Sequence, residues 1–270
     1  MYLVFDIGGT NMRIATSQDG KTLDKIETTP TLTNFSEAIS IFKQTALKLT
    51  KEEKIKAAAG GGRRLNHPTM PLWVNEPLKQ ELERILQTPV YLENDAALAG
   101  LGEATFGAGQ GKKIVAFITV STGVGGARIV EGHIDQNSLG FEPGSQIISQ
   151  DTDSPGYLEK YVSGIALEKS YGKKGEQLND QQVWDEVARI LAIGLNNIIV
   201  LWSPDIVILG GSVAKSIPLE KVNKNLAQIL KIFPQVPEVV RASLGEKGGL
   251  LGCLAYLNQF ISLPLSKDQR

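Results

Sequence analysis

The chain has 270 residues with 28 Lys and Arg against 29 Asp and Glu, a formal charge of -1 that leaves no electrostatic footprint for nucleic acid or an anionic membrane. Hydrophobic residues make up 42% and charged ones 21%, the balance of a globular protein, and no apolar run approaches the roughly 20 residues of a membrane helix. Two medium domains are expected at this length, in the cytoplasm, because Asp6 and its glycines interrupt any apolar signal segment.

Residues 2–5, 12–17 and 22–28 are predicted strands joined by turns at Gly8-Gly9 and Asp19-Gly20, an antiparallel meander. The first strand delivers Asp6 to its end, and Gly8 and Gly9 let backbone N–H groups approach an anion where a Cβ would block them. Thr10 adds a hydroxyl. A carboxylate this close to phosphate needs a divalent cation, most simply Mg²⁺. A plain hairpin turn with a solvated aspartate fits the same letters.

Asn34 stands three residues before Glu37, a capping arrangement, and Phe35, Ala38, Ile39, Phe42, Ala46 and Leu49 then recur at helical spacing. A small-residue strand, 55–59, runs into Gly60-Gly61-Gly62 and an irregular loop; Asn75 caps a predicted helix carrying Leu78, Leu82, Ile85 and Leu86. Residues 89–92 are the next strand and 95–105 the next helix. Between them, Glu93-Asn94-Asp95 places a carboxylate and an amide at a strand's carboxyl end, where open α/β sheets bind ligands. Asp95 can take a proton from a hydroxyl nucleophile while Asn94 orients the same molecule. A simple helix cap explains the pair equally well.

The second half repeats the opening in pattern. Residues 113–120 and 124–131 are predicted strands around Ser121-Thr122-Gly123-Val124-Gly125-Gly126, a second candidate phosphate cradle and the mark of a distant internal duplication. From Asp180 a long helix carries Val183, Val187, Ile190, Leu191, Leu195, Ile198 and Ile199 until Ser203-Pro204 ends it. A buried strand, 205–209, stops at Gly210-Gly211-Ser212, where a nucleobase or ribose can lie on bare backbone. The final small-residue helix, 248–255, holds the only cysteine, Cys253, which has no disulfide partner and reads as a buried structural thiol. Strands alternating with helices give an α/β architecture, joined near the glycine-rich stretch 107–113.

Taken in order, these four sites resemble the ROK family of sugar kinases and repressors within the actin-like ATPase superfamily. The resemblance covers nearly the whole chain: Asp-Gly-Gly-Thr at the start, Glu-Asn-Asp-Ala a third of the way along, a Thr-Gly-x-Gly-Gly hairpin, and a late Gly-Gly turn. It implies two actin-like (ribonuclease H-like) domains with mixed sheets flanked by helices and a nucleotide cleft between them. Residues 1–107 with about 248–270 would form the smaller sugar and phosphate domain, and 108–247 the larger nucleotide-binding domain. It further implies ATP with Mg²⁺ as cofactor, a small-molecule sugar as acceptor, and a homodimer. Asp95 matches the family's catalytic base and, with Asn94, its sugar contacts. Asp6, which would meet the metal through the phosphates, falls with Gly8, Gly9, Thr10, Asn11, Ser121, Thr122, Gly123, Gly210, Gly211 and Ser212 among the nucleotide and phosphate residues.

The sugar side departs from the family's pattern. Phe141-Glu142-Pro143-Gly144-Ser145 keeps the glutamate, Glu142, but has Ser145 where a histidine is expected. The zinc-binding cysteine segment is replaced by residues 151–159, so no structural zinc is expected, although Glu159 keeps the spacing of a sugar ligand. Thr69 stands where an asparagine is expected. A serine reaches less far than a histidine, which calls for a bulkier substrate, a water or a moved loop. Arg63 and Arg64 could meet an anionic substituent, although two solvated loop arginines are the more ordinary explanation. His67 and His133 have no metal-ligand companions. The expected function is therefore ATP-dependent phosphorylation of a hexose, with an N-acetylhexosamine kinase or a catalytically inactive sugar or nucleotide-binding regulator as alternatives. A repressor would carry a DNA-binding domain before the glycine turn; with that turn at Asp6 and a balanced charge, none is expected.

Overall fold

The first glycine turn closes a hairpin. Strand β1 (Tyr2–Ile7) pairs antiparallel with β2 (Asn11–Ser17), setting Asp6 opposite Arg13, and β3 (Lys25–Pro30) continues the meander. β3 begins later than the sequence predicts, because Asp19 accepts the backbone N–H groups of Lys21 and Thr22 and holds that stretch as a turn. Helix α1 (Phe35–Thr50) starts as expected, with the Asn34 side chain accepting from the Glu37 N–H. β4 (Ala57–Gly61) and β5 (Val90–Glu93) then add in parallel, separated by α2 (Leu78–Leu86) and followed by α3 (Asp95–Phe106). α2 begins after Pro77, which presets a helical φ and lacks an N–H to leave orphaned.

The computed structural model describes residues 1–62, 73, 76–151 and 154–261. Asn75, Arg63, Arg64, His67 and Thr69 lie outside them. The chain divides into two compact units, Met1–Gly102 with Glu246–Arg270, and Glu103–Gly245.

In the first unit the sheet runs β3-β2-β1-β4-β5. Alternation along β1 sends Leu3 and Phe5 to a core with α1 and α2, and Val4 to the opposite core with α3 and the last helix, α8 (Gly248–Ile261). Phe5 meets Phe42 edge to face at 5.1 Å, a pairing worth about 0.5–1.5 kcal/mol beyond its buried area. Cys253 is buried on that second face, its thiol pointing at the Phe5 carbonyl. Burial and then Asp6 push its pKa up, so it is an inert thiol.

The small residues of α8 also serve a helix contact. A Cβ on Gly252 would overlap the Leu98 carbonyl of α3, and one on Gly102 of α3 would overlap the Gly248 carbonyl. The two backbones therefore touch.

The second unit opens with β6 (Ile114–Val120), β7 (Val124–Val130) and the short β8 (His133–Ile134). A hairpin of β9 (Ile147–Asp151) and β10 (Ser154–Tyr157), then α4 (Glu159–Val162) and α5 (Gly164–Tyr171), lead to the long α6 (Gln181–Trp202). Asp180 caps α6 and Ser203 ends it in a left-handed conformation, as the Ser-Pro signal predicts. β11 (Ile206–Gly210), α7 (Leu219–Ile229) and β12 (Glu238–Arg241) complete the unit.

Its sheet, β8-β7-β6-β11-β12, has the connectivity of the first: an antiparallel meander with two parallel strands added beside its first strand. The repeat seen in the glycine turns is thus a repeat of topology. No helix among the described residues is long and apolar enough to cross a membrane.

Gly252→Ala is expected to cost at least about 2 kcal/mol by forcing α3 and α8 apart. Gly249→Ala is its control, since a Cβ there meets nothing nearer than the Asp6 carboxylate at 3.9 Å. Urea unfolding of both variants checks the pair, and equal midpoints would show that α8 does not need this contact.

Candidate active site

β1, β4 and β5 run parallel and end at one edge, so the residues just past their ends meet. Asp6 lies near the end of β1, and Asp95 opens α3 just after β5. Gly61, closing β4, sits between them: an added Cβ would lie 3.4 Å from the Asp95 Cβ and 3.6 Å from Asp6 Oδ1. Two carboxylates separated by a residue without a side chain leave a small, negatively charged recess. Burial raises the pKa of Asp6, the Asp95 charge raises it further, and Arg13 works against both.

Arg13 is the site residue that the sequence reading passed over. Its guanidinium lies 3.5 Å from Asp6 Oδ2 and 3.3 Å from Glu246 Oε2. The signal was present in the hairpin, because a turn over residues 8–10 makes position 13 the cross-strand partner of position 6. The first turn of α8 also approaches Asp6, through Gly249.

The Gly8-Gly9 turn is braced by its own backbone and by Thr31. Gly8 N–H donates to the Asn11 carbonyl at 3.0 Å, and the Thr31 hydroxyl donates to the Gly8 carbonyl at 2.6 Å. Thr10 and Asn11 are exposed beside it. Asn94 does cap α3, its Oδ1 accepting from the Ala97 N–H at 3.1 Å, while Asp95 Oδ1 accepts from the Ala96 N–H at 2.8 Å. The cap consumes the Asn94 oxygen; its NH₂ group is the part suited to a ligand.

In the second unit, Ser121 and Ser212 bring the third and fourth sequence sites together, their hydroxyls 3.1 Å apart. The turn after β6 is anchored to α5, whose Gly164 and Ile165 N–H groups donate to the Ser121 and Thr122 carbonyls at 2.7 and 3.2 Å. Gly211 has φ +97°, and a Cβ there would overlap the Val120 carbonyl, while one on Gly210 would press on the Phe117 ring. Those glycines are thus required by packing. Glu159 starts α4 beside the glycine turn, its Oε2 3.5 Å from where a Gly123 Cβ would be. Ser145 is exposed in a short helical turn with Pro143 and Gly144, its N–H donating to the Glu142 carbonyl at 3.1 Å.

His133 is exposed on β8 beside the Glu131 carbonyl. Among the described residues, no three or more His, Cys, Asp and Glu side chains gather as a metal cage. Mg²⁺ needs less than a cage, since one or two carboxylates and substrate phosphates suffice. The Asp6–Asp95 recess, with its raised Asp6, fits such an ion.

Residues 2–259 match the sequence profile of the ROK family. The chain belongs to the ROK family. It is 26% identical to a glucokinase of Thermotoga maritima over 95% of this chain and 96% of that protein. The ROK hexokinase of Thermus thermophilus superposes with a TM-score of 0.82 at 28% identity, covering 96% of this chain and 99% of that one. A ROK glucokinase of Streptomyces griseus, solved with glucose and AMPPNP, gives 0.79 at 25% identity over 95% and 98%. The two mixed sheets are accordingly the actin-like domains that the family resemblance implies.

A carboxyl whose folded-state pKa lies above its ordinary value of 3.8 costs stability once ionised, fully so above the raised value and not at all below 3.8. Asp6→Asn is therefore expected to raise the urea midpoint of the ligand-free protein at pH 7, with the gain fading as the pH falls toward 3.8. A lower midpoint at pH 7 would mean that the Arg13 pairing outweighs burial and the Asp95 charge.

Proposed function

We propose that this ROK protein is an ATP-dependent sugar kinase that transfers the γ-phosphoryl group to a hydroxyl of a hexose, glucose being the first candidate. The observation that carries the reading is the convergence of Asp6 and Asp95 on Gly61, which sets a proton acceptor beside a carboxylate suited to a cation. The glucokinases and hexokinase it resembles support the same chemistry.

In the reaction, the sugar oxygen forms a bond to the γ-phosphorus, the bond to the ADP oxygen breaks, and the hydroxyl proton passes to Asp95. Asn94 orients the hydroxyl through its amide. Asp6 would hold Mg²⁺ with the phosphate oxygens, and the ion would neutralise phosphate charge there. The turns at Gly8, Gly9, Thr10 and Asn11 and at Ser121, Thr122 and Gly123 supply N–H and hydroxyl donors to phosphates. Gly210, Gly211 and Ser212 meet the nucleoside, and Glu142, Ser145 and Glu159 meet the sugar. Residues 1–107 with about 248–270 serve sugar and phosphate, and 108–247 the nucleotide. A cytoplasmic homodimer is the state the family resemblance implies.

A second acceptor class has support of its own. An N-acetyl-D-glucosamine kinase of Photobacterium profundum is 29% identical over 67% of this chain and 70% of that protein, and Ser145 leaves more room than a histidine would. A coupled ADP-release screen over hexoses, N-acetylhexosamines and their acidic derivatives separates the two and detects an inactive regulator, which would release ADP with none.

Asp95→Asn keeps the shape and removes the base, so turnover should fall about a hundredfold or more while nucleotide affinity stays nearly constant. Undiminished turnover would place the base elsewhere. Glu159→Gln is expected to raise the KM for sugar and leave that for ATP unchanged, as steady-state kinetics with each substrate varied will report.

A further inference from the structure

Between Ser145 and Glu159 the chain makes a detour through the β9–β10 hairpin. One backbone hydrogen bond closes it at the base, from the Leu158 N–H to the Gln146 carbonyl at 3.0 Å. Ser145 immediately precedes one end of that bond, and Glu159 immediately follows the other. The spacing of these two residues is thus decided at Gln146.

The side chain of Gln146 is used at both ends. Nε2 donates to the Pro143 carbonyl at 2.8 Å, and Oε1 accepts from Asn197 Nδ2 at 3.0 Å. Asn197 belongs to α6, whose buried face forms the centre of the second unit's core. Pro143 and Gly144 are buried against β7, with no room for a Cβ on Gly144 beside Val124 or on Gly126 beside Pro143. The side-chain amide therefore ties the Glu142–Ser145 turn to α6, while the backbone carbonyl of the same residue holds the Leu158 N–H just before α4.

We infer that Gln146, held by Asn197, is a positioning residue for the sugar: it fixes Ser145 and Glu159 relative to each other and so sets sugar affinity without touching the sugar. The inference rests on the kinase reading above. Its chemistry is specific to an amide, because the site needs one donor toward Pro143 and one acceptor toward Asn197. A leucine of similar size supplies neither and leaves a carbonyl and an amide without their partners.

The test uses the full-length wild type with Gln146→Leu and Asn197→Ala, assayed for ADP release with ATP and D-glucose or the best hexose of the screen, and for amide hydrogen exchange without ligand. Gln146→Leu should raise the sugar KM about tenfold and Asn197→Ala by about threefold, with kcat and the ATP KM within about twofold of wild type. Exchange at the Leu158 amide should quicken in both. Unchanged exchange, an unchanged sugar KM, or parallel increases in both KM values would overturn the inference. If Gln146→Leu does not fold, Asn197→Ala and Gln146→Met carry the same comparison. A wild type that releases no ADP with any sugar of the screen removes the kinase reading and the substrate role with it, whereas the preceding outcomes in an active enzyme remove the inference alone.

Discussion

Two aspartates held around a glycine govern the first unit. Burial first and the neighbouring Asp95 charge second raise the pKa of Asp6, the cost of holding two carboxylates in a partly buried recess. The sheet brings them together because β1, β4 and β5 are parallel neighbours ending at one edge, which sets the backbones of Asp6 and Asp95 side by side. The surrounding structure follows from this placement. Arg13 answers Asp6 from the paired strand, Asn94 fixes the start of α3, and α8 comes close because glycines strip side chains from its contact with α3.

The second unit repeats the same topology with different turns and contacts. Its hairpin turn after β6 is tied to α5 and, through Ser121 and Ser212, to the turn after β11. Between β8 and α6 it carries an insertion that the first unit lacks, the β9–β10 hairpin with α4 and α5. That insertion holds Glu159, while Ser145 and Glu142 lie just before it. On the proposed kinase reading, the duplicated frame would supply the phosphate-holding turns, and the inserted segment with the turn before it would supply acceptor specificity.

Much of this was legible along the chain. Apolar residues at spacings of two and of three to four marked the meander, α1 and α6, and Asn34 and Asp180 marked their helix starts. Asp6 and Asp95 stood out because turn glycines and strand ends are local features. The sequence pattern marked none of β8, β9, β10, α4, α5, α7 and β12, and the strands among them are short, β12 being a four-residue edge strand with little pattern to detect. The Gly102 and Gly252 contact was also invisible, since small residues in a helix do not say whether they face a sheet or another helix. Gln146 gave no signal either: an amide in a polar stretch acquires its role only when Pro143, Leu158 and Asn197 arrive around it.

The sequence by itself determined the chemistry available: two carboxylates, two glycine turns, a repeated strand pattern and a segment, 141–159, that departs from the family's pattern. Tertiary structure decided which of these groups meet, bringing Asp95 to Asp6, Ser212 to Ser121 and Glu159 to Gly123. The physical reason is range. Turn chemistry and amphipathic spacing act over a few residues and are written in order, whereas the strength of a charge pair or an amide clamp depends on ångström separations between residues far apart in the chain.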